Sequence, residues 1–364
     1  MKILVISLAG IGDTLIATPL ARELRLNFPK AAIDFFVFWP GARDLLLHNS
    51  NVNQVIQKNL VREGTWRSLH FLMSLRRERY DISLNTHPQS KRHYRLVAFL
   101  VGARVRASHA YDNSTRIDRV LVNRSIPQDY SIHSIDNNLR LLPLIGAREK
   151  LSSHEFELIL STEERAWAGG FAREHGLATA EWMGLHVGSG TTKNLRFKRW
   201  PLAYYRELID RLLRSNPARR IILFGGPDEE SDNVELLASA NSSRLIPSRT
   251  PSVRHAAALL ENCPVFLSVD NLMMHLAAAM KVPRQIVIES PTFGPTLAPY
   301  HRPFTLVPNP LTHGRNLDFY RYDGGNIRGS PETLRQCMES VTVQAVFEAV
   351  TTGLGETCRP KETS

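Results

Sequence analysis

Apolar residues along the chain fall into short runs separated by stretches with helical spacing. Residues 3–7 form one such run, and apolar positions from 13 to 26 then recur as on one face of a helix. Further runs at 33–38, 80–85 and 104–108 predict strands, with helical segments between them. Residues 133–144, with Leu139, Leu141, Leu142 and Leu144, predict another helix. A polar stretch at 146–155 and a helix near 162–175 mark a boundary. The alternation then resumes, with strands at 183–187, 221–224, 265–269 and 285–289. Helices are expected at 202–213, 229–240, 253–260 and 272–280, and a last one at 341–350. Residues 291–331 are rich in Pro, Gly, Asn and aromatics, and read as loop.

Strands alternating with helices imply βαβ units and parallel sheets. Two such series of similar size predict an α/β protein with two Rossmann-like domains facing a central cleft. The expected bounds are 1–172 and 173–335, then a C-terminal helix over 336–353 and a disordered tail over 354–364. In open α/β sheets ligands bind beyond the carboxyl ends of the strands, so the loops after strands are where chemistry is sought.

Composition sharpens this picture. The 364 residues are 43% hydrophobic and 22% charged, which excludes general disorder, a collagen-like repeat and a coiled coil. No apolar run reaches the ~18 to 20 residues that span a bilayer. The apolar N-terminus is interrupted by Asp13 and has no basic region beyond Lys2, so it reads as a strand and not a signal peptide. A cytoplasmic protein is expected. Cys263, Cys337 and Cys358 are too few and too scattered for a disulfide framework or a zinc site.

Charge is concentrated. Residues 58–124 hold 14 Lys/Arg against 5 Asp/Glu, a local net of +9 within a chain total of +10. Such a basic field points to an anionic partner. Zinc-finger spacing and RNP-like aromatics are missing from this stretch, so nucleic acid is not the partner expected.

Four loops carry candidate chemistry. The first strand runs into Ala9-Gly10-Ile11-Gly12-Asp13-Thr14. Asp13 stands where a helix begins, as an N-cap or as a general base, and one carboxylate can serve both roles. After the strand at 183–187, Gly188-Ser189-Gly190-Thr191-Thr192 offers backbone N–H groups and hydroxyls to a phosphate. Lys198, in Lys198-Arg199-Trp200-Pro201, is placed to neutralise a diphosphate. Glu229 ends the turn Gly225-Gly226-Pro227-Asp228-Glu229 as a helix cap or a ribose ligand. Asp270 and Asn271 open a helix that carries His275 one turn in, and a helix N-terminus favours anions. D-x-D, H-E-x-x-H and Walker A sequences are missing, so no metal site is indicated and no cofactor is expected.

In this order the motifs resemble those of the bacterial heptosyltransferase family, glycosyltransferase family 9, which builds the lipopolysaccharide inner core. The similar segments are Lys2-Ile3-Leu4-Val5-Ile6 through Gly12-Asp13-Thr14 to Thr18-Pro19-Leu20, then Gly188-Ser189 with Lys198-Arg199-Trp200-Pro201. Gly225-Gly226-Pro227-Asp228-Glu229, Ser268-Val269-Asp270 with His275-Leu276-Ala277-Ala278-Ala279, Pro291-Thr292, Pro299-Tyr300 and Cys337-Met338 complete the set. The resemblance implies a GT-B fold. Its N-terminal domain would bind a lipid-linked lipopolysaccharide-core acceptor and its C-terminal domain a nucleotide sugar, usually ADP-heptose. It implies Asp13 as catalytic base in an inverting, metal-independent transfer. Ser189, Thr191, Thr192, Lys198, Glu229, Asp270, Asn271 and His275 would bind the donor. Gly12, Arg62, Arg67, Lys91, Arg92 and Arg95 are candidates for the acceptor, met at the cytoplasmic face of the inner membrane. The chain departs from the family at Leu272, where a glycine is usual, and at Ser290-Pro291-Thr292-Phe293. Alternatives are another nucleotide-sugar donor, a sugar-nucleotide epimerase of similar architecture, a non-catalytic binder of anionic glycolipid and, last, a nucleic-acid-binding protein using the Arg-rich face.

Overall fold

The computed structural model describes residues 1–190, 195–313 and 330–357. The chain divides into two compact units between Ile159 and Leu160. The expected change at residue 172 would cut through the helix Thr162–Glu174, which belongs wholly to the second unit. Glu164 of that helix grips Arg254 of the helix Val253–Leu260 through two bonds, Nε to Oε1 at 2.5 Å and Nη2 to Oε2 at 2.8 Å. Arg254 is buried, so this pair anchors the helix to the second unit.

The first unit holds β1 (Lys2–Ser7), β2 (Ala32–Val37), β3 (Gln54–Gln57), β4 (Ile82–Asn85), β5 (Val105–Ala110) and β6 (Arg124–Pro127). All are parallel, in the order β3-β2-β1-β4-β5-β6. The second unit holds β7 (Trp182–His186), β8 (Arg220–Phe224), β9 (Leu245–Pro247), β10 (Val265–Val269), β11 (Arg284–Ile288) and β12 (Phe304–Val307). Their order, β12-β11-β10-β7-β8-β9, is the same doubly wound topology. The central strands read as continuous apolar runs because helices cover both faces of each sheet, and β1 and β10 are buried along almost their whole length. The topological switch points therefore lie between β1 and β4 and between β7 and β10.

Three local features differ from the sequence expectation. The helix predicted over 13–26 is two, Ile11–Ile16 and Thr18–Asn27. Pro19 has no amide to give to the Leu15 carbonyl, which accepts the Thr18 hydroxyl at 2.7 Å instead. The stretch 291–331 is not all loop, since β12 pairs along the edge of β11 within it. The C-terminal helix expected over 336–353 is two helices, Pro331–Glu339 and Val343–Thr357, so helix continues into the start of the expected tail. Cys263 and Cys337 are buried free thiols, and Cys358 lies outside the described residues.

One buried carboxylate organises the end of the first unit. Glu23, fully buried on the helix Thr18–Asn27, accepts the amides of Lys150 and Leu151 at 2.9 and 2.8 Å and meets His154 Nε2 at 3.0 Å. Burial alone would raise its pKa. The two amides and His154 outweigh that and hold it below the usual carboxylate range. Among the described residues no helix is long and apolar enough to cross a membrane.

Candidate active site

In the first unit the site is built at the end of β1. The chain leaves Ser7, turns through Ala9 and Gly10, and enters the helix Ile11–Ile16. The Gly10 N–H donates to Asp13 Oδ2 at 2.6 Å, which fixes the carboxylate over the first turn. A Cβ on Gly10 would come within 2.9 Å of that oxygen, so a side chain here would shift the carboxylate. Ser7 and Thr14 hydroxyls meet at 3.1 Å beneath, and Trp39 Nε1 holds the Ala9 carbonyl at 2.7 Å. Asp13 is half-buried. Its negative charge adds to burial in raising the pKa of Tyr94 and is one of the influences on Tyr111, so both phenols share its surroundings.

Beside β1, the end of β4 leads into a buried polar cluster. Tyr111 O is reached by the Gln89 N–H at 2.9 Å and lies 3.2 Å from His87 Nδ1, while the His87 N–H donates to Asn138 Oδ1 at 2.7 Å. His109 Nε2 lies 2.8 Å from the Asn137 carbonyl. Burial holds His87 neutral to well below its ordinary pKa and lowers His109 to about 4.

The candidate acceptor residues divide. Arg62 and Arg67 are exposed, Arg92 is exposed beside Thr115, and Lys91 precedes the helix Arg92–Val101. Gly12 lies within the helix Ile11–Ile16 beside Asp13. Arg95 differs from these. It is buried, donates to Asp118 Oδ1 at 2.7 Å and to the Ser90 carbonyl at 3.0 Å, and so holds the fold together. Its place on the inner face of the helix Arg92–Val101 is set by helical spacing with Ala98.

In the second unit the carboxyl ends of β7, β8 and β10 converge. Lys198 Nζ donates to the Asp270 carbonyl at 2.6 Å and to Asp270 Oδ2 at 2.9 Å, with Thr292 Oγ1 at 3.4 Å. Thr292 donates to Asp270 Oδ2 at 2.7 Å, and the Ser290 hydroxyl binds Asp270 Oδ1. Asn271 caps the helix Leu272–Ala279 by accepting the Met274 N–H at 3.1 Å, and its amide donates to the Gly188 carbonyl at 2.8 Å. That bond ties the loop after β7 to the helix after β10. Ser189 donates to the Leu195 carbonyl at 2.8 Å. His275 is buried one turn into the helix. Thr191 and Thr192 lie outside the described residues.

Glu229 sits against the same loop. Oε2 accepts the Gly226 N–H at 3.0 Å, Oε1 meets Arg199 Nη2 at 3.2 Å, and His186 Nε2 lies 3.7 Å away. Burial would raise the Glu229 pKa, and His186, the Gly226 amide and Arg199 together bring it below the usual value. His186 Nδ1 takes the Gly188 N–H at 3.3 Å and lies 3.1 Å from Asn271 Nδ2. Accepting there leaves the ring proton on Nε2, toward Glu229. Gly188 has no room for a side chain, because a Cβ would lie 2.1 Å from Glu229 Oε1.

His186 and Arg199 were not singled out by sequence. Arg199 stands inside the quoted segment after Lys198, and for His186 the available signal was a polar residue within the expected strand 183–187. Chemically, the second unit presents backbone amides and two fixed cation–carboxylate pairs, Lys198 with Asp270 and Arg199 with Glu229, groups that can meet the phosphates and hydroxyls of a nucleoside diphosphate. The first unit presents one oriented carboxylate suited to taking a proton. Among the described residues no group of three or more His, Cys, Asp or Glu is placed to hold a metal ion.

Residues 68–313 match the model of glycosyltransferase family 9 (heptosyltransferase). The chain is 28% identical over 334 residues to lipopolysaccharide heptosyltransferase 2 of Salmonella typhimurium, covering 84% of this chain and 88% of the relative. Among solved structures it is similar to a glycosyl transferase family 9 protein from Veillonella parvula, with a TM-score of 0.74 and 20% identity over 98% of this chain and 97% of that one. It is also similar to E. coli ADP-heptose lipopolysaccharide heptosyltransferase II, with a TM-score of 0.70 and 21% identity over 98% and 99% of the two chains. These two likenesses give the chain the GT-B fold that the family resemblance implies.

Proposed function

Because this chain belongs to glycosyltransferase family 9, the heptosyltransferases, we propose that it transfers heptose from ADP-heptose to a lipopolysaccharide-core acceptor, with inversion and without a metal ion. The acceptor would be lipid-linked and met at the cytoplasmic face of the inner membrane. Asp13 removes the proton from the acceptor hydroxyl while that oxygen bonds to the anomeric carbon. The bond from that carbon to the diphosphate oxygen breaks on the opposite face, and its electron pair leaves with ADP. Lys198 and the amides of the loop after β7 and of the helix Leu272–Ala279 take up the charge that develops on the leaving group. Glu229 faces the ribose, and Asp270 keeps Lys198 in place.

The observation that supports this reading best is Asp13, held by the Gly10 amide at the end of β1 and oriented ahead of any substrate. The mention of ADP-heptose in the name of the E. coli relative supports the donor. A second donor deserves a test because Leu272, the first residue of the helix after Asp270, stands where the family usually has glycine. A Leu side chain there narrows the approach to the helix amides.

Purified protein is incubated with a lipopolysaccharide-core acceptor and, in parallel, ADP-heptose, UDP-sugars and GDP-sugars. The expected result is an acceptor heavier by one heptose, with ADP released, from ADP-heptose alone and in the presence of a chelator. Transfer from only a UDP- or GDP-sugar, or transfer abolished by the chelator, overturns the proposal.

A further inference from the structure

The first unit carries an exposed apolar feature that its fold does not explain. Val61 and Trp66 are 82% and 83% exposed, more than any other large hydrophobic among the described residues. Val61 lies in the turn after β3, and Trp66 is the second residue of the helix Thr65–Arg77. Their neighbours show what a packed position here looks like. Leu60 packs against the core cluster, and Leu72 and Leu75 are buried in it. Val61 and Trp66 point away from that core.

Their surroundings are cationic. Arg62 and Arg67 flank them and are exposed. The topology adds more charge to the same edge. Every strand of this sheet is parallel, so residues following β3, β4 and β5 emerge at the edge where Asp13 follows β1. Lys91 and Arg92 follow β4, and exposed Arg116 and Ile117 follow β5. Of the basic stretch 58–124, Arg76, Arg77, Arg79, Arg104, Arg106 and Arg124 precede or open strands and so lie at the opposite edge, whereas Lys58, Arg62, Arg67, Lys91, Arg92 and Arg116 follow strands at this one, against Glu63 and Asp112.

We propose that Val61 and Trp66 are a wedge that enters the headgroup layer of an anionic bilayer, with Arg62 and Arg67 against its phosphates. Tryptophan suits this role because its ring is apolar and its N–H is polar, which matches the headgroup region. Arginine beside it answers the negative surface potential. An apolar pair alone would serve a protein partner equally well. The dense positive charge around it favours phospholipid. The proposal rests on the lipid-linked acceptor proposed above, since a wedge at this edge brings the end of β1 toward the surface where such an acceptor lies.

The test uses the full chain and vesicles of phosphatidylcholine with or without phosphatidylglycerol, containing no acceptor. Flotation is expected to recover the protein with the phosphatidylglycerol vesicles only, and less of it as salt rises. Trp66→Ser with Val61→Ser is expected to weaken this binding at low salt by about tenfold. R62E with R67E is expected to lower binding and flatten its salt dependence. Circular dichroism melting confirms that each variant folds. Wild type failing to float, or the Ser variants floating as well as wild type, overturns the wedge. Wild type that ignores vesicles but elutes as a dimer, lost in Trp66→Ser, assigns the patch to a second copy and also overturns it. Turnover on a lipid-free core acceptor separates the two ideas. It stays unchanged in the Ser variants if the transferase reading holds, whatever the vesicles show, and its absence in wild type counts against that reading alone.

Discussion

Lys198 Nζ lies 2.9 Å from Asp270 Oδ2 and 2.6 Å from the carbonyl of the same residue, so one aspartate holds the ammonium by side chain and backbone together. Both side chains are largely buried, and removing one partner strands the other's charge. Asp270→Ala is expected to destabilise the protein by about 3 kcal/mol in urea unfolding. The double variant Asp270→Ala with Lys198→Met should recover part of that loss, because no charge is then left buried.

Gly188 and Glu229 make a contact with no slack. The carboxylate that a Gly188→Ala methyl would strike is pinned by the Gly226 amide and Arg199. The variant is expected to lose about 1 to 3 kcal/mol of stability. Under the proposed function its donor KM rises more than its kcat falls, which steady-state kinetics with varied ADP-heptose measures.

Asp13→Asn keeps the size of the side chain and removes its basicity. A general base contributes about 100-fold to 10,000-fold, so kcat should fall by at least about 100-fold. Donor affinity, read by calorimetry, should stay within about twofold, since Asp13 is proposed to act on the acceptor alone.

Arginines in the basic stretch separate by burial. Arg95→Ala takes from buried Asp118 its nearest cation, leaving the more distant Arg92 and the Thr115 donors, and should cost about 3 kcal/mol. Arg62→Ala and Arg67→Ala remove exposed side chains and should move stability by less than about 0.5 kcal/mol. Thermal melting of the three variants checks this.

The histidines near Tyr111 give the first unit an acid sensitivity. His109 is lowered by burial to about 4, so it stays neutral in the fold while the unfolded chain takes a proton near the ordinary value of 6.5. Its contribution is complete above that value, falls as pH drops from there to about 4, and is constant below. The loss from His109 is at most about 3 kcal/mol. His109→Gln keeps a donor toward the Asn137 carbonyl and does not titrate, so its urea midpoint should fall less than that of wild type between neutral pH and about pH 4.5.

Periodicity made the central strands legible. The expected run at 265–269 is β10 itself, and the expected helix at 253–260 is found with the same bounds. Edge strands were not legible. β3 reads Gln-Val-Ile-Gln and β6 reads Arg-Ser-Ile-Pro, too short and polar to stand out from loop. Their positions come from pairing with β2 and β5, which is not a local property. In the candidate site, Glu229, Asp270 and Asn271 were legible as candidates because each follows a strand beside turn residues, and Lys198 because it lies just before a helix. The His186 link to Gly188, Asn271 and Glu229 was not, because it joins the ends of three strands far apart in sequence. Arg95 looked like its exposed neighbours because charge alone does not reveal burial. Only its register on the helix Arg92–Val101 separates it from Arg92.

Glu23 reaches forward more than a hundred residues to fasten the amides of Lys150 and Leu151. The stretch up to Ile159 is therefore a strap of the N-terminal unit and not a tether between halves. A fragment truncated at Gly146 would strand a buried carboxylate with nothing to answer it, whereas one ending at Ile159 keeps the buckle closed. Chimaeras that exchange halves between related chains should be spliced after the strap, since a junction placed between Glu23 and Lys150 parts the carboxylate from its own amides.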